Sequence, residues 1–158
     1  LNTRLRRAVS AFARGFALLV PCQWIAMFSP AELQLILGGS DAPLNVDDWQ
    51  QNTVYSGGYA SSHPSIRAFW GAVRRFTPQQ RTALLKFVTS CSRPPLMGFR
   101  WLTPPFCIHK AVDDNGGRLP TSATCMNLLK LPAYESEEIL AERLAYAIVV
   151  GAGSFVLS

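Results

Sequence analysis

Apolar residues recur at helical spacing at the start of the chain. Leu5, Val9, Phe12, Phe16 and Leu19 share one face, which predicts an amphipathic helix over residues 2–20 with a mostly basic polar side. Ser29-Pro30-Ala31-Glu32 then has the form of a capping box, with proline at the first helical position. The helix it opens runs through Leu33, Leu35, Ile36 and Leu37 and stops at Gly38-Gly39. Gly38 to Pro43 is a linker by composition, and apolar sequence resumes at Leu44.

Between residues 44 and 62 the pattern is short and irregular. It predicts a helical turn over Val46 to Gln51, a strand over Thr53 to Tyr55 and a turn at Ser56-Gly57-Gly58. Ile66, Phe69, Trp70, Val73 and Phe76 then line one face of a helix starting near Pro64. Thr77-Pro78-Gln79-Gln80 is a second capping box, opening a helix that carries Leu84, Leu85, Phe87 and Val88 inward and ends by Ser92-Arg93-Pro94-Pro95. Phe99 to Leu102, Phe106 to His109 and Leu128 to Leu131 read as short strands, with a turn at Asp113 to Gly117. Ser136 caps a last helix, with Glu137 and Glu138 favourable in its first turn and Gly151 to Gly153 ending it. Phe155-Val156-Leu157-Ser158 is an apolar tail with no helix left to join.

Composition narrows the function classes. The 158 residues suit one ordinary domain, or one domain and part of another. Hydrophobic residues make up 49%, which excludes a disordered tail, and charged residues only 16%, which points to apolar surface covered by something else. The net charge of +5 and the N-terminal arginines leave nucleic-acid binding as a weak third possibility. Phe12 to Phe28 is interrupted by Arg14, Pro21 and Gln23, so no membrane span is expected. Scattered arginines and the lack of a small-residue cleavage site argue against a secretory signal. The expected compartment is cytoplasm or nucleus, with thiols reduced. Cys22, Cys91, Cys107 and Cys125 are not spaced for a zinc site, and neither metal nor cofactor is expected. Each cysteine is by default a small buried hydrophobe.

Cys125 departs from that default. It follows Leu119-Pro120-Thr121-Ser122-Ala123-Thr124, whose proline and hydroxyl residues mark an exposed loop ahead of an apolar strand. Backbone N–H groups at such a junction can stabilise a thiolate or a developing oxyanion. A structural thiol is the alternative on composition alone.

Residues 119–134, Leu-Pro-Thr-Ser-Ala-Thr-Cys-Met-Asn-Leu-Leu-Lys-Leu-Pro-Ala-Tyr, resemble the catalytic-cysteine segment of HECT-type ubiquitin ligases. So do Asn52-Thr53-Val54-Tyr55-Ser56-Gly57-Gly58-Tyr59, Phe69-Trp70, the run from Leu85 to Pro95, and a phenylalanine fourth from the end, Phe155. Phe106-Cys107-Ile108-His109 and Met126 to Pro132 most resemble the subgroup of the proteasome-associated HECT ligase. The resemblance implies a mixed α+β fold. It consists of the C-lobe of a HECT domain over residues 44–158, with a small, mostly antiparallel sheet packed by helices, after a hinge at residues 39–43. Residues 1–38 are then the last helices of the N-lobe, whose surface for the ubiquitin-conjugating enzyme lies upstream.

The implied function is to accept ubiquitin on Cys125 as a thioester and pass it to a lysine of a protein substrate. A non-catalytic ubiquitin-binding or interaction module is the alternative. Thr124 is implied as a local hydrogen-bonding residue and Phe155 as an aid to transfer, with simple packing equally open for Phe155. Leu119, Tyr146 and Ala147 are implied contacts for ubiquitin, although Leu119 equally suits the core. Many family members have histidine two positions before the cysteine; Ala123 stands there, which puts histidine-based activation by this loop in doubt. His63 and His109 read as structural or solvated, and the carboxylate of Ser158 is a possible acid in the tail.

Overall fold

The computed structural model describes residues 3–40, 42–112 and 117–153. It divides into two compact units between Gly38 and Gly39. The first holds three helices, α1 (Thr3–Leu19), α2 (Cys22–Ile25) and α3 (Pro30–Gly38). The capping box forms as the sequence predicts: the Glu32 side chain accepts from the Ser29 backbone N–H at 2.7 Å, and Ser29 Oγ accepts from the Glu32 N–H at 3.3 Å. Those bonds hold the Glu32 carboxyl below its ordinary value. No described residue of these helices is buried, and Phe12, Leu18, Trp24, Met27 and Leu37 are exposed.

The second unit has its own core. Its elements are α4 (Val46–Gln51), β1 (Val54–Ser56), α5 (Pro64–Arg75), α6 (Pro78–Thr89), β2 (Cys107–Lys110), β3 (Thr121–Ala123), β4 (Leu128–Leu131) and α7 (Glu137–Gly153). The Thr77–Gln80 capping box of α6 is fully formed, and Ser136 Oγ caps α7 through the Ile139 N–H. Trp49 of α4 is wholly buried among aromatic rings, stacked on Phe99 and edge-on to Trp70 and Phe106 at centroid distances of 5.1, 5.8 and 5.1 Å in turn. Beside this cluster, Ile108, Leu129 and Leu131 of the sheet meet Phe69, Leu84, Leu144 and other helical residues in one apolar core.

The four strands lie in the order β1-β2-β4-β3. The mixed α+β architecture is as expected, but the mostly antiparallel sheet is corrected. β1 pairs parallel with β2, and β2 parallel with β4; only β3 and β4 are antiparallel. The reason is the connection. Between β1 and β2 the chain passes through α5 and α6, and such a helical crossover returns it to the same end of the sheet, which gives parallel pairing. Short strands separated by turns in the sequence did not reveal that path.

Local corrections follow from packing. Phe99 to Leu102 is not a strand: Phe99–Trp101 is a 3-10 turn, because Phe99 turns inward to stack on Trp49. Thr121–Ala123, read as exposed loop, is the edge strand β3, since its backbone finds partners on β4. The glycines at 151 and 153 do not stop α7, which continues to Gly153. At Gly151 a Cβ would stand 2.6 Å from Phe87 Cδ2, so this glycine permits close helix packing instead of ending the helix. None of the four cysteines is buried: Cys22, Cys91 and Cys125 are exposed and Cys107 is intermediate. The expected turn at Asp113 to Gly117 lies largely outside the described residues.

Leu129 is fully buried at the centre of the sheet. Leu129→Ala is expected to lower the unfolding free energy by about 2–5 kcal/mol, read by denaturant titration of tryptophan fluorescence.

Candidate active site around Cys125

Cys125 sits in a 3-10 turn, Thr124–Met126, that joins β3 to β4. The sequence placed it at a loop-to-strand junction; the structure instead puts strands on both sides. β3 enters with Ala123 extended, and Asn127 closes the turn in the left-handed conformation at φ 47° and ψ 39°. Asparagine is one of the few residues other than glycine that visits this region readily.

Asn127 is 6% exposed, and its polar groups are engaged on three sides. Its N–H donates to the Thr124 carbonyl at 3.3 Å, and its own carbonyl accepts from the Cys107 N–H at 3.0 Å. Its side-chain Nδ2 donates to the Pro104 carbonyl at 2.6 Å. The cysteine turn is thus tied to β2 and to the loop before it. That loop is anchored in turn: Asp48 Oδ2 of α4 accepts from the Phe99 N–H at 2.9 Å. Gly98, at φ +91°, brings the backbone so close that a Cβ there would stand 3.1 Å from the same oxygen. Asn127, Asp48, Gly98 and Pro104 were not singled out from the sequence. The one readable signal was an asparagine just before a buried strand, which suits a left-handed turn.

The result is an exposed sulfur on a fixed backbone. Met126 beside it is 57% exposed. Thr124 flanks the cysteine and is half-buried; its carbonyl closes the turn, while its hydroxyl makes no hydrogen bond among the described residues. The other thiols of this unit differ: Cys91 Sγ lies 3.4 Å from the Arg93 carbonyl, and Cys107 Sγ lies 3.4 Å from Ser56 Oγ.

Both histidines are occupied elsewhere. His63 caps α5, its ring nitrogen accepting from the Ser65 N–H at 3.2 Å, and packs edge-on against Tyr59. His109 Nδ1 lies 2.9 Å from Ser56 Oγ, and its ring fills the space above Gly57. Tyr55, whose hydroxyl accepts from Trp70 Nε1 at 3.0 Å, is pushed above its ordinary pKa mainly by burial, with the Trp70 bond opposing.

The expected ubiquitin contacts divide. Leu119 is half-buried where the chain enters β3, and it lines a cavity of about 340 Å³ with His109, Lys110 and Lys130. Tyr146 is exposed on α7. Ala147, one residue round the helix from Tyr146, is only 5% exposed. Phe155 and Ser158 lie outside the described residues. Among the described residues no helix is long and apolar enough to cross a membrane, and no cluster of histidine, cysteine and acidic residues has the makings of a metal site.

The family model described as HECT-domain (ubiquitin-transferase) matches residues 1–158. The chain is 48% identical over 157 residues to E3 ubiquitin-protein ligase UPL6 of Arabidopsis thaliana, covering 97% of the chain and 15% of that protein. It is 42% identical over 152 residues to E3 ubiquitin-protein ligase HUL5 of Saccharomyces cerevisiae, covering 96% of the chain and 16% of that protein. It is also 40% identical over 177 residues to human Ubiquitin-protein ligase E3B, covering 97% of the chain and 17% of that protein. The chain therefore spans only a small part of the length of these relatives.

Two substitutions separate the backbone and side-chain contributions of Asn127. Asn127→Gly keeps the left-handed conformation and loses the bond to Pro104, an expected cost of about 1–3 kcal/mol. Asn127→Ala adds the left-handed penalty of about 1–2 kcal/mol. Denaturant titration should rank the alanine variant below the glycine variant, and the alkylation rate of Cys125 should change more in the alanine variant.

Proposed function

The chain belongs to the HECT-domain family of ubiquitin transferases, and from that premise we propose that Cys125 is the residue on which it carries ubiquitin. One observation supports this above the others: an exposed thiol held in a turn whose backbone Asn127 fixes from three sides. A nucleophile that must receive a whole protein needs access for its sulfur and little freedom for its backbone.

The chemistry is two acyl transfers. The Cys125 thiolate attacks the thioester carbonyl carbon at the C-terminus of ubiquitin; that bond to the conjugating enzyme's sulfur breaks, and its thiolate leaves. The neutral amine of a substrate lysine then attacks the new thioester. Cys125 leaves as thiolate, the nitrogen gives up a proton, and an isopeptide bond remains. The first step exchanges like for like and needs little acid–base help, whereas the second needs a base to take the proton. His63 and His109 each commit Nδ1 to another contact, to the Ser65 N–H and to Ser56 Oγ. Thr124 contributes through its carbonyl to the shape of the turn. β3 is the edge of the sheet and leads directly into the cysteine, so an extended tail reaching the sulfur passes along an edge able to pair with it. Leu119 and Tyr146 are the residues offered to the body of ubiquitin, and Phe155 assists transfer.

In this reading residues 39–158 are the hinge and the cysteine-bearing lobe, and α1–α3 close the preceding lobe. The exposed apolar side chains of α1–α3 support it, because surface of that kind is normally covered. Ubiquitin, a conjugating enzyme docked upstream and protein substrates are the partners, in cytoplasm or nucleus. The hinge is narrow. Gly39, at φ +84°, sits under the Pro94 carbonyl, which also accepts the Ser40 N–H at 2.9 Å.

Ubiquitin carrying a cysteine-reactive C-terminus is expected to label the chain at Cys125 by mass mapping, with labelling lost in Cys125→Ala and retained when Cys22 and Cys91 are replaced by serine. Labelling that follows another cysteine, or that never occurs, would reject the assignment. In the complete ligase, Cys125→Ser is expected to trap ubiquitin as an ester resistant to transfer. Gly38→Pro, which removes the N–H of the last residue of α3 and restricts the step into Gly39, is expected to slow transfer to lysine without changing the stability of residues 39–158. Unchanged turnover would place the hinge elsewhere.

A further inference from the structure

We propose that the cavity between the end of β2, β4 and the entrance to β3 is a binding site for a phosphate-bearing ligand. His109, Lys110, Arg118 and Lys130 line it, Thr121 adds a hydroxyl and Leu119 an apolar wall, and none of the residues lining it is acidic. Its volume of about 340 Å³ lies within the ordinary range of small-ligand pockets and leaves room for an organic body or a second phosphate beside the first. The sheet brings these groups together. Its register sets Ser56, His109, Lys130 and Thr121 side by side across all four strands, and neighbouring strands lie about 4.8 Å apart. Ile108, Leu129 and Leu131 are buried among the helices, so alternation along each strand turns this row to the opposite face. Lys110 ends β2 and Arg118 stands just before β3. The Tyr134 hydroxyl donates to the Arg118 carbonyl at 2.6 Å and ties the backbone at that point.

An anion suits this wall for two physical reasons. Like charges gathered on a sheet repel, and among the described residues neither Lys110 nor Lys130 forms an ion pair. A multiply charged anion relieves that repulsion. The second reason is the state of His109. Its Nδ1 lies 2.9 Å from Ser56 Oγ, which lies 3.4 Å from Cys107 Sγ. With the thiol donating to the hydroxyl and the hydroxyl to Nδ1, the ring proton stands on Nε2, so even the neutral imidazole presents a donor. Phosphate, with a charge near −2 and several acceptor oxygens, matches cationic donors of this number better than a single carboxylate does. It can belong to a free small molecule or to a phosphorylated side chain; the chemistry recognised is the same. Leu119 is also offered to ubiquitin in the reading above, so a seated ligand and ubiquitin compete for that side chain. The binding itself does not rest on that reading.

The test titrates inorganic pyrophosphate into the whole chain at constant ionic strength and follows backbone amide shifts by NMR. Saturable shifts centred on residues 109–110, 118–121 and 130 are expected. Affinity should fall several-fold when Lys110→Gln and Lys130→Gln are combined. It should stay unchanged when Arg6→Gln and Arg7→Gln remove the same charge from α1. Lys130→Met alone, at an exposed position, gives the same reading should the double lysine variant misfold. Shifts centred elsewhere, shifts that do not saturate, or equal losses in the lysine and arginine variants overturn the proposal. Competition by phosphoserine and by a phosphoserine peptide then assigns the source. Peptide binding several-fold tighter than the free amino acid supports a phosphorylated side chain, and equal binding supports a free small molecule. Failure of both to displace pyrophosphate overturns the proposal.

Discussion

The arrangement around Cys125 depends on one asparagine. A tight turn between two short strands leaves backbone groups facing the interior, and a buried group without a partner costs on the order of 1–3 kcal/mol. Asn127 answers this by holding the left-handed conformation, closing the turn through its N–H, joining β2 through its carbonyl and reaching the Pro104 carbonyl with its side chain. Because the peptide groups on the inner side of the turn are engaged there, the residues on its outer side need not fold inward. Cys125 is exposed at the head of a turn whose closing residue is held by these bonds.

The constraint is transmitted to the core by a short relay. Asp48 on α4 fixes the backbone at Gly98 and Phe99, Phe99 stacks on Trp49, and the same loop goes on to present Pro104 to Asn127. The aromatic cluster around Trp49 therefore does more than fill volume. It sets where a loop runs, and the loop sets where a turn is held. The parallel pairing of β2 with both β1 and β4 belongs to the same design, since it puts Cys107, whose N–H receives the Asn127 carbonyl, beside the start of β4.

The surface has a different logic. The apolar side chains of α1–α3 have no cover within the described residues, which suits helices that complete a larger lobe. The groove between α6 and α7 is instead small and lined by side chains of both helices. Each apolar surface is read from what the chain brings near it, not from exposure alone.

Most of the helices were legible in the residues themselves, because capping and apolar spacing act within a few positions of the chain. Both capping boxes, the Pro64 helix and the Ser136 cap form as the local chemistry requires. The exposed cysteine was legible from the small polar residues before it, and the family from motifs spread along nearly the whole chain. The sheet was not legible in that way. Whether strands run parallel, whether Thr121–Ala123 finds a partner, and whether Phe99 extends or turns inward depend on residues tens of positions away. The contrast between buried Ala147 and exposed Tyr146 has the same origin: neighbours in sequence on a helix point in directions that only the packing of α7 assigns to core or solvent. Sequence alone determined where helices begin and set one cysteine apart from the other three. Tertiary structure decided which backbone groups remained to be satisfied, and through them how the turn that carries Cys125 is held.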